Sequence, residues 1–214
     1  MDRTRILLVD DHAIVRKGLK QLLLEEYPCV FVEEADDAAS AVKKVIVKEL
    51  DVVICDLKMP GRTGIDALKQ IKQLSPTLPV LIMSMYPEDE YALRVLKAGA
   101  SGYLNKGSIH EALIPAIQTV LQGKKFISPS VTAKIVDAFR LDPFNSSCLS
   151  HESLSDREFE IFRFLASGQS ISEIAKQLSL SASTVSTYRS RILEKMNLRS
   201  NSDITRYALE RKLI

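Results

Sequence analysis

At 214 residues, 46% apolar and 26% charged, with a formal net charge of +2, the chain has the make-up of an ordinary globular protein and the length for one large or two modest domains. Three cysteines (Cys29, Cys55, Cys148) without a CxxC pair speak against a disulfide framework or structural zinc, and no stretch approaches the ~18 apolar residues of a membrane span. The continuous apolar run near the start, Ile6 to Val9, is too short for a signal-peptide core, so the expected compartment is a reducing cytoplasm with no membrane partner.

Charge is unevenly spread. Residues 145–214 carry 10 Lys/Arg against 8 Asp/Glu, whereas the first 144 balance at 19 against 19. A weakly basic terminal region permits nucleic-acid binding without establishing it.

Along the chain, short apolar runs recur at 5–9 (RILLV), 29–34 (CVFVEE), 52–55 (VVIC), 79–83 (PVLIM) and 102–105 (GYLN). Between them apolar residues take helical spacing, as in Val15, Leu19, Leu22 and Leu23,. Strict alternation of near-continuous apolar strands with helices predicts an α/β doubly wound, five-stranded parallel sheet over residues 1–123. Ligands of such sheets sit at the carboxyl ends of the strands. After Gly123 the alternation stops. Residues 128–140 predict one helix with Ser128 as N-cap and Pro129 at its first position, and the polar, aperiodic 141–153 reads as a linker. Residues 154–214 predict an all-α domain of four helices, about 155–167, 171–178, 182–196 and 201–212. Their capping candidates are Ser155 (with Glu158 as a capping box), Ser170, Ser181 and Asn201.

Polar residues gather where the apolar runs end. Asp10 and Asp11 close the first strand and Asp56 the third, which are close neighbours in a doubly wound sheet. Three converging carboxylates repel one another unless a cation sits among them, and hard oxygen donors suit Mg²⁺. Ser84 ends the fourth strand and Lys106 follows the fifth, so a hydroxyl and an ammonium join the same edge. That set is suited to phosphoryl transfer, with one aspartate attacking in line. Taken singly, Asp10 and Asp11 could cap a helix and Lys106 could be a solvated loop charge. His12 reads as a helix-start residue beside the site, and Cys55 as a small core residue.

The motifs VDDH, CDLKMPGRTG, MSMY and GYLNK, each at an expected strand end, resemble those of the receiver domains of two-component response regulators, across residues 1 to about 123. The resemblance implies a flavodoxin-like fold in which Asp56 accepts a phosphoryl group from a sensor histidine kinase. It implies that Asp10, Asp11 and Asp56, with the backbone carbonyl of Lys58, hold one Mg²⁺. Ser84 and Lys106 would contact the phosphoryl group, and Tyr103 would turn inward on activation. Three positions depart from the commoner pattern: Met85 after Ser84, Lys58 two residues beyond the acceptor, and Gly107 where proline often follows the lysine. Crowding by Met85 predicts slow phosphorylation by small phosphodonors and a long-lived phosphoryl state. An aspartyl-nucleophile phosphatase would need an acid two residues after its nucleophile, where His12 and Lys58 stand instead. A phosphorylation-independent DNA-binding protein with a degenerate receiver is the other alternative.

In the last 61 residues, ISEIAKQLSLSASTVSTYRSRILEKM has the form of a helix-turn-helix. Ile174, Ala175 and Leu178 pack its first helix; Val185, Ile192 and Met196 form the inner seam of its second. The opposite stripe, Ser183, Ser186, Thr187, Ser190 and Arg191, is a narrow face of small hydroxyls plus arginine that fits a major groove. Helix pairs of this kind also serve as plain packing units. The whole segment, from LSDREFEIFRFLASGQS through NLRSNSDITRYALE, resembles LuxR-type output domains; with the receiver it gives the NarL/FixJ architecture. The resemblance implies that the 182–196 helix reads double-stranded promoter DNA, with homodimers on paired half-sites. The residues carried over as DNA contacts are Ser183, Thr184, Ser186, Thr187, Arg189, Ser190, Arg191 and Lys195, with Arg189 expected to reach a phosphate. Ser186 and Tyr188 stand where the family often has Lys and His, so base preference does not carry over.

Overall fold

The structure, a computed structural model, describes residues 4–27, 29–59, 63–86, 88–129, 131–133, 151–211 and 213–214. The chain divides into two compact units, Met1–Ala138 and Phe139–Ile214.

In the first unit, strands and helices alternate: β1 (Thr4–Val9), α1 (Ala13–Glu26), β2 (Val30–Ala35), α2 (Ala38–Val47), β3 (Val52–Asp56), α3 (Gly64–Leu74), β4 (Val80–Ser84), α4 (Glu88–Lys97), β5 (Gly102–Asn105) and α5 (Ile109–Leu121). The five strands pair in parallel in the order β2-β1-β3-β4-β5, which is the predicted doubly wound sheet. Every residue of β3 and β4 is buried, as strands covered on both faces require. On one face Ile6, Leu8, Ile54, Leu81 and Met83 pack against Leu19 and Leu23 of α1 and Leu113, Ile117 and Val120 of α5. Strand alternation turns Leu7, Val9, Val53 and Cys55 to the other face, which α2 and α3 cover.

Both sheet edges are managed. On β2, Glu33 is paired with Lys44 and Lys48, and Glu34 with Lys20. At β5, Phe126 forms a parallel bridge to Gly102, and its N–H donates to the Ser101 carbonyl at 2.8 Å. A Cβ on Gly102 would stand 2.7 Å from the Phe126 carbonyl oxygen, so the approach requires glycine. Ser128 caps the next turn as predicted: its Oγ accepts from Val131 N–H at 3.3 Å. The predicted helix from 134 onward, the linker as far as 150, and Pro60–Gly61 lie outside the described residues.

The second unit comprises α6 (Asp156–Ala166), α7 (Ile171–Gln177), α8 (Ala182–Lys195) and α9 (Asn201–Glu210). Phe159 and Phe162 stack at 6.1 Å, and Tyr207 meets Phe162 edge-on. Ile174, Val185, Ile192, Ile204 and Ala208 complete a core from which solvent is excluded. Ser155 and Ser170 form capping boxes with Glu158 and Glu173, and Ser181 caps α8. One cap differs from expectation. Ser200, not Asn201, accepts from Asp203 N–H, and Asn201 is the first helical residue. The helix-turn-helix turn uses Ser179 at φ 53°, with Leu180 N–H donating to Ala175 and Ser179 N–H to Lys176. This is a Schellman closure with serine where glycine is usual.

Candidate functional site

Register brings the carboxylates together. Val9 of β1 pairs with Cys55 of β3, so Asp10 and Asp56 emerge side by side at the strand ends. Asp10 is fully buried, and Asp56 and Ser84 are almost so. Lys106, directly after β5, donates to Asp10 Oδ2 at 2.6 Å and lies 3.0 Å from Asp56 Oδ1. The other Asp10 oxygen accepts the His12 N–H at 2.8 Å. Burial pushes the Asp56 carboxyl up to about 6 and Asp10 adds repulsion, while Lys106 and the Lys58 N–H pull it down. For Lys106, burial would lower the pKa, but the hydrogen bond to Asp10 and the charge of Asp56 outweigh it and the ammonium is held charged.

One lysine cannot neutralise three acids. Asp11 Oδ1 is shielded from solvent and lacks a hydrogen-bond donor; His12 Nδ1 approaches it to 2.8 Å without hydrogen-bond geometry. Asp10, Asp11, His12 and Asp56 each offer a ligand atom, all within 4.8 Å of one another. A set dominated by carboxylate oxygens, one of them undonated, fits a hard divalent cation such as Mg²⁺.

The neighbouring residues refine the expectations. Met85 is 74% exposed, so its side chain stands largely in solvent after the end of β4. The Lys58 side chain is also exposed; its backbone N–H is the group that addresses Asp56. Tyr103, expected to turn inward on activation, is already buried, with its hydroxyl donating to the Tyr86 carbonyl at 2.8 Å. Asn105 Nδ2 approaches the same carbonyl at 3.4 Å, and Tyr86 N–H donates to Ser84 Oγ at 3.0 Å. Ser84 and Tyr103 are thus joined through one residue of the β4–α4 connection.

Gly64 was not singled out from the sequence, although it lies within the CDLKMPGRTG motif. A Cβ there would fall 2.1 Å from the Asp56 carbonyl oxygen and 2.9 Å from Leu57 Cα. Its N–H donates to Leu57 O at 2.8 Å. The start of α3 therefore lies directly against the backbone carrying Asp56, and the Thr63–Asp66 capping box holds that start.

On α8, Val185, Ile192 and Met196 are buried, and Ser183, Ser186, Thr187, Ser190 and Arg191 form an exposed stripe. Thr187 and Ser190 hydroxyls donate to the carbonyls of Ser183 and Ser186, leaving their lone pairs outward. Ser183 and Thr184 hydroxyls gather on Ser181 Oγ at 2.8 and 2.7 Å. The Arg191 guanidinium lies 6.0 Å from the Tyr188 ring centroid. Two of the residues carried over as DNA contacts also have partners inside the domain. Arg189 Nε donates to Asn201 Oδ1 at 2.6 Å. Lys195, carried over as a DNA contact, donates to the buried Glu158 at 2.7 Å, because that carboxylate, at the N3 position of α6, needs a cation.

Among the described residues, no helix is long and apolar enough to cross a membrane. Residues 6–118 match the family "Response regulator receiver domain", and residues 152–208 match "Bacterial regulatory proteins, luxR family". Curated relatives include the "Oxygen regulatory protein NreC" of Staphylococcus epidermidis and of Staphylococcus carnosus. Each is 37% identical to this chain, covering 98% of it and 99% of the relative. Among solved structures, RcsB from Salmonella enterica serovar Typhimurium, bound to a promoter in the presence of the phosphomimetic BeF3−, is 27% identical with a TM-score of 0.57, covering 96% of this chain and 98% of that one. A LuxR-family response regulator from Aurantimonas is 37% identical with a TM-score of 0.58, covering 66% of this chain and 100% of that one. On these matches across both units, the chain belongs to the DNA-binding response regulators of two-component systems, in the NarL-type branch that joins a receiver to a LuxR-type helix-turn-helix.

Proposed function

We propose that Asp56 accepts a phosphoryl group from a sensor histidine kinase and that its phosphorylation switches DNA binding by the α8 helix. The observation that carries this reading is the partly buried Lys106 ammonium bridging Asp10 and Asp56 at the strand ends. An ionised Asp56 oxygen attacks phosphorus in line; the new O–P bond forms as the bond from phosphorus to the donor nitrogen breaks, its electron pair leaving with the donor. Lys106 stays protonated throughout and offsets charge on the transferred oxygens, and Ser84 donates its hydroxyl to one of them. Mg²⁺, when bound by Asp10, Asp11, Asp56 and the Lys58 carbonyl, supplies further neutralisation of phosphoryl charge. Members of the family are regulators rather than enzymes; here self-phosphorylation from small donors and autodephosphorylation follow from the same pocket.

The receiver spans 1–123, the connecting helix and linker 124–153, and the DNA reader 154–214. Ser183, Ser186, Thr187, Ser190 and Arg191 face the major groove, with Thr184 at its N-terminal margin and Arg189 at its phosphate rim. The relative seen on a promoter with a phosphomimetic supports a phosphorylated, DNA-bound state; two RcsB dimers bound to parallel DNAs support a homodimer. The setting is the bacterial cytoplasm, where kinase and promoter are both reached. The test is migration on a phosphate-affinity gel with a small phosphodonor and Mg²⁺: wild type gives a retarded band and Asp56→Ala none. Absence of an Asp56-dependent band sends the reading to phosphorylation-independent DNA binding. Arg191→Ala should weaken specific DNA binding by ~1–3 kcal/mol, and an unchanged footprint refutes its placement.

A further inference from the structure

Asp10 is held at nearly every polar atom, and one of those holds comes from a residue with no part in the phosphoryl chemistry above. Its N–H donates to Ala35 O at 3.2 Å, its carboxylate accepts from His12 N–H and Lys106, and its carbonyl accepts from Arg16 Nη1 at 2.5 Å. That carbonyl belongs to the peptide plane joining Asp10 to Asp11. Rotation of this plane is the motion that would re-aim the Asp11 carboxylate, whose Oδ1 lacks a donor.

Arg16 is itself anchored. It projects from the first turns of α1 with only 16% of its side chain exposed, and Nε lies 3.5 Å from Glu34 Oε2 on β2. Glu34 is fixed in turn by Lys20 at 2.8 Å. The hydrogen bond from Lys20 and, to a lesser degree, Arg16 keep the Glu34 carboxyl below the ordinary range despite partial burial. The guanidinium therefore spans the end of β1, to which it is hydrogen-bonded, and the adjacent edge strand β2, to which it is ion-paired without hydrogen-bond geometry, a reach that suits its planar fork and not a lysine.

We propose that Arg16 is a positioning residue for divalent-cation binding. It fixes the Asp10–Asp11 peptide so that both carboxylates are presented to one cation, and it acts through Asp11 rather than on the phosphoryl group. The inference rests on the phosphoacceptor reading of the pocket. Groups that orient metal ligands from behind alter affinity by roughly 10–100-fold when removed.

The test uses the full chain as wild type, Arg16→Ala and Arg16→Lys, with folding checked by circular dichroism. Calorimetric titration with Mg²⁺ should give a Kd roughly 10-fold higher for Arg16→Ala, with Arg16→Lys between it and wild type, because lysine keeps one donor for the carbonyl but loses the span to Glu34. The phosphorylation rate should show the same shift in its Mg²⁺ dependence and return to within about twofold of wild type at saturating Mg²⁺. A folded Arg16→Ala with wild-type Mg²⁺ affinity overturns the proposal; a purely structural role would lower Tm and leave both readouts in place. Should Arg16→Ala not fold, Arg16→Lys decides, since wild-type affinity there is equally fatal. Failure of the phosphoacceptor reading shows differently, as wild type giving no Mg²⁺-dependent, Asp56-dependent band.

Discussion

Replacing Asp56 with asparagine should stabilise the metal-free receiver. Burial raises the Asp56 carboxyl from its ordinary 3.8 to about 6. Between those values the folded state binds more protons than the unfolded state, so stability falls as pH rises and the deficit is complete above about pH 6. A shift of about two units corresponds to roughly 3 kcal/mol. Asparagine preserves the shape and an oxygen for Lys106 but gives up the charge-assisted hydrogen bond. The expected net gain is therefore about 1–3 kcal/mol at pH 7.5, shrinking toward zero near pH 4. The assay is urea unfolding in EDTA across this pH range, read by hydrogen exchange of the β1 and β3 peptides so that the receiver transition is separated from that of the output unit. An Asp56→Asn protein no more stable than wild type at pH 7.5, or a gap that does not change with pH, would refute the argument that the acceptor is held ionised at a cost.

Further outcomes follow from single contacts. Gly64→Ala drives a methyl into the Asp56 backbone, which has no flexible atom to yield; a loss of about 1–3 kcal/mol and slower phosphorylation are expected, and unaltered urea midpoint and rate would show that the approach is relaxed. Ser179→Gly removes a side chain from the left-handed region and should stabilise the output unit by about 1 kcal/mol in thermal unfolding. Lys195→Ala leaves Glu158 buried without its cation. Burial alone would raise the Glu158 pKa, but Lys195 and the Ser155 cap hold it below normal, so the stability it contributes is present above its unfolded pKa and lost as pH falls through the folded one. With Lys195 partly exposed, a cost of about 1–2 kcal/mol at neutral pH is expected. The salt dependence of DNA binding should stay unchanged, whereas loss of a phosphate contact would reduce its slope by about one.

The pocket was legible because polar residues ended apolar runs that could only be buried strands. Once β1 and β3 are neighbours, Asp10, Asp11 and Asp56 must meet, and Ser84 and Lys106 reach the same edge from β4 and β5. What the sequence could not show was how side chains choose among partners. Ser200 and Asn201 are both competent caps, and only the backbone geometry at 200 decides between them. Lys195 lies at the end of the helix proposed to read DNA, yet a buried carboxylate 37 residues earlier is the nearer demand on its charge. Gly64 and Arg16 act on the backbone around the acids, so neither stands out by chemical type. Tyr103 could be identified as an aromatic on the fifth strand, but its hydrogen bond to Tyr86 depends on the path of the β4–α4 connection.

The most direct measurement is fluorescence anisotropy of a promoter fragment titrated with wild type and Asp56→Ala, each before and after treatment with phosphodonor and Mg²⁺. If Asp56 is the switch, treatment tightens wild-type binding and leaves Asp56→Ala where it was. Equal responses of the two proteins, or none in wild type that carries the phosphoryl group, would contradict the account.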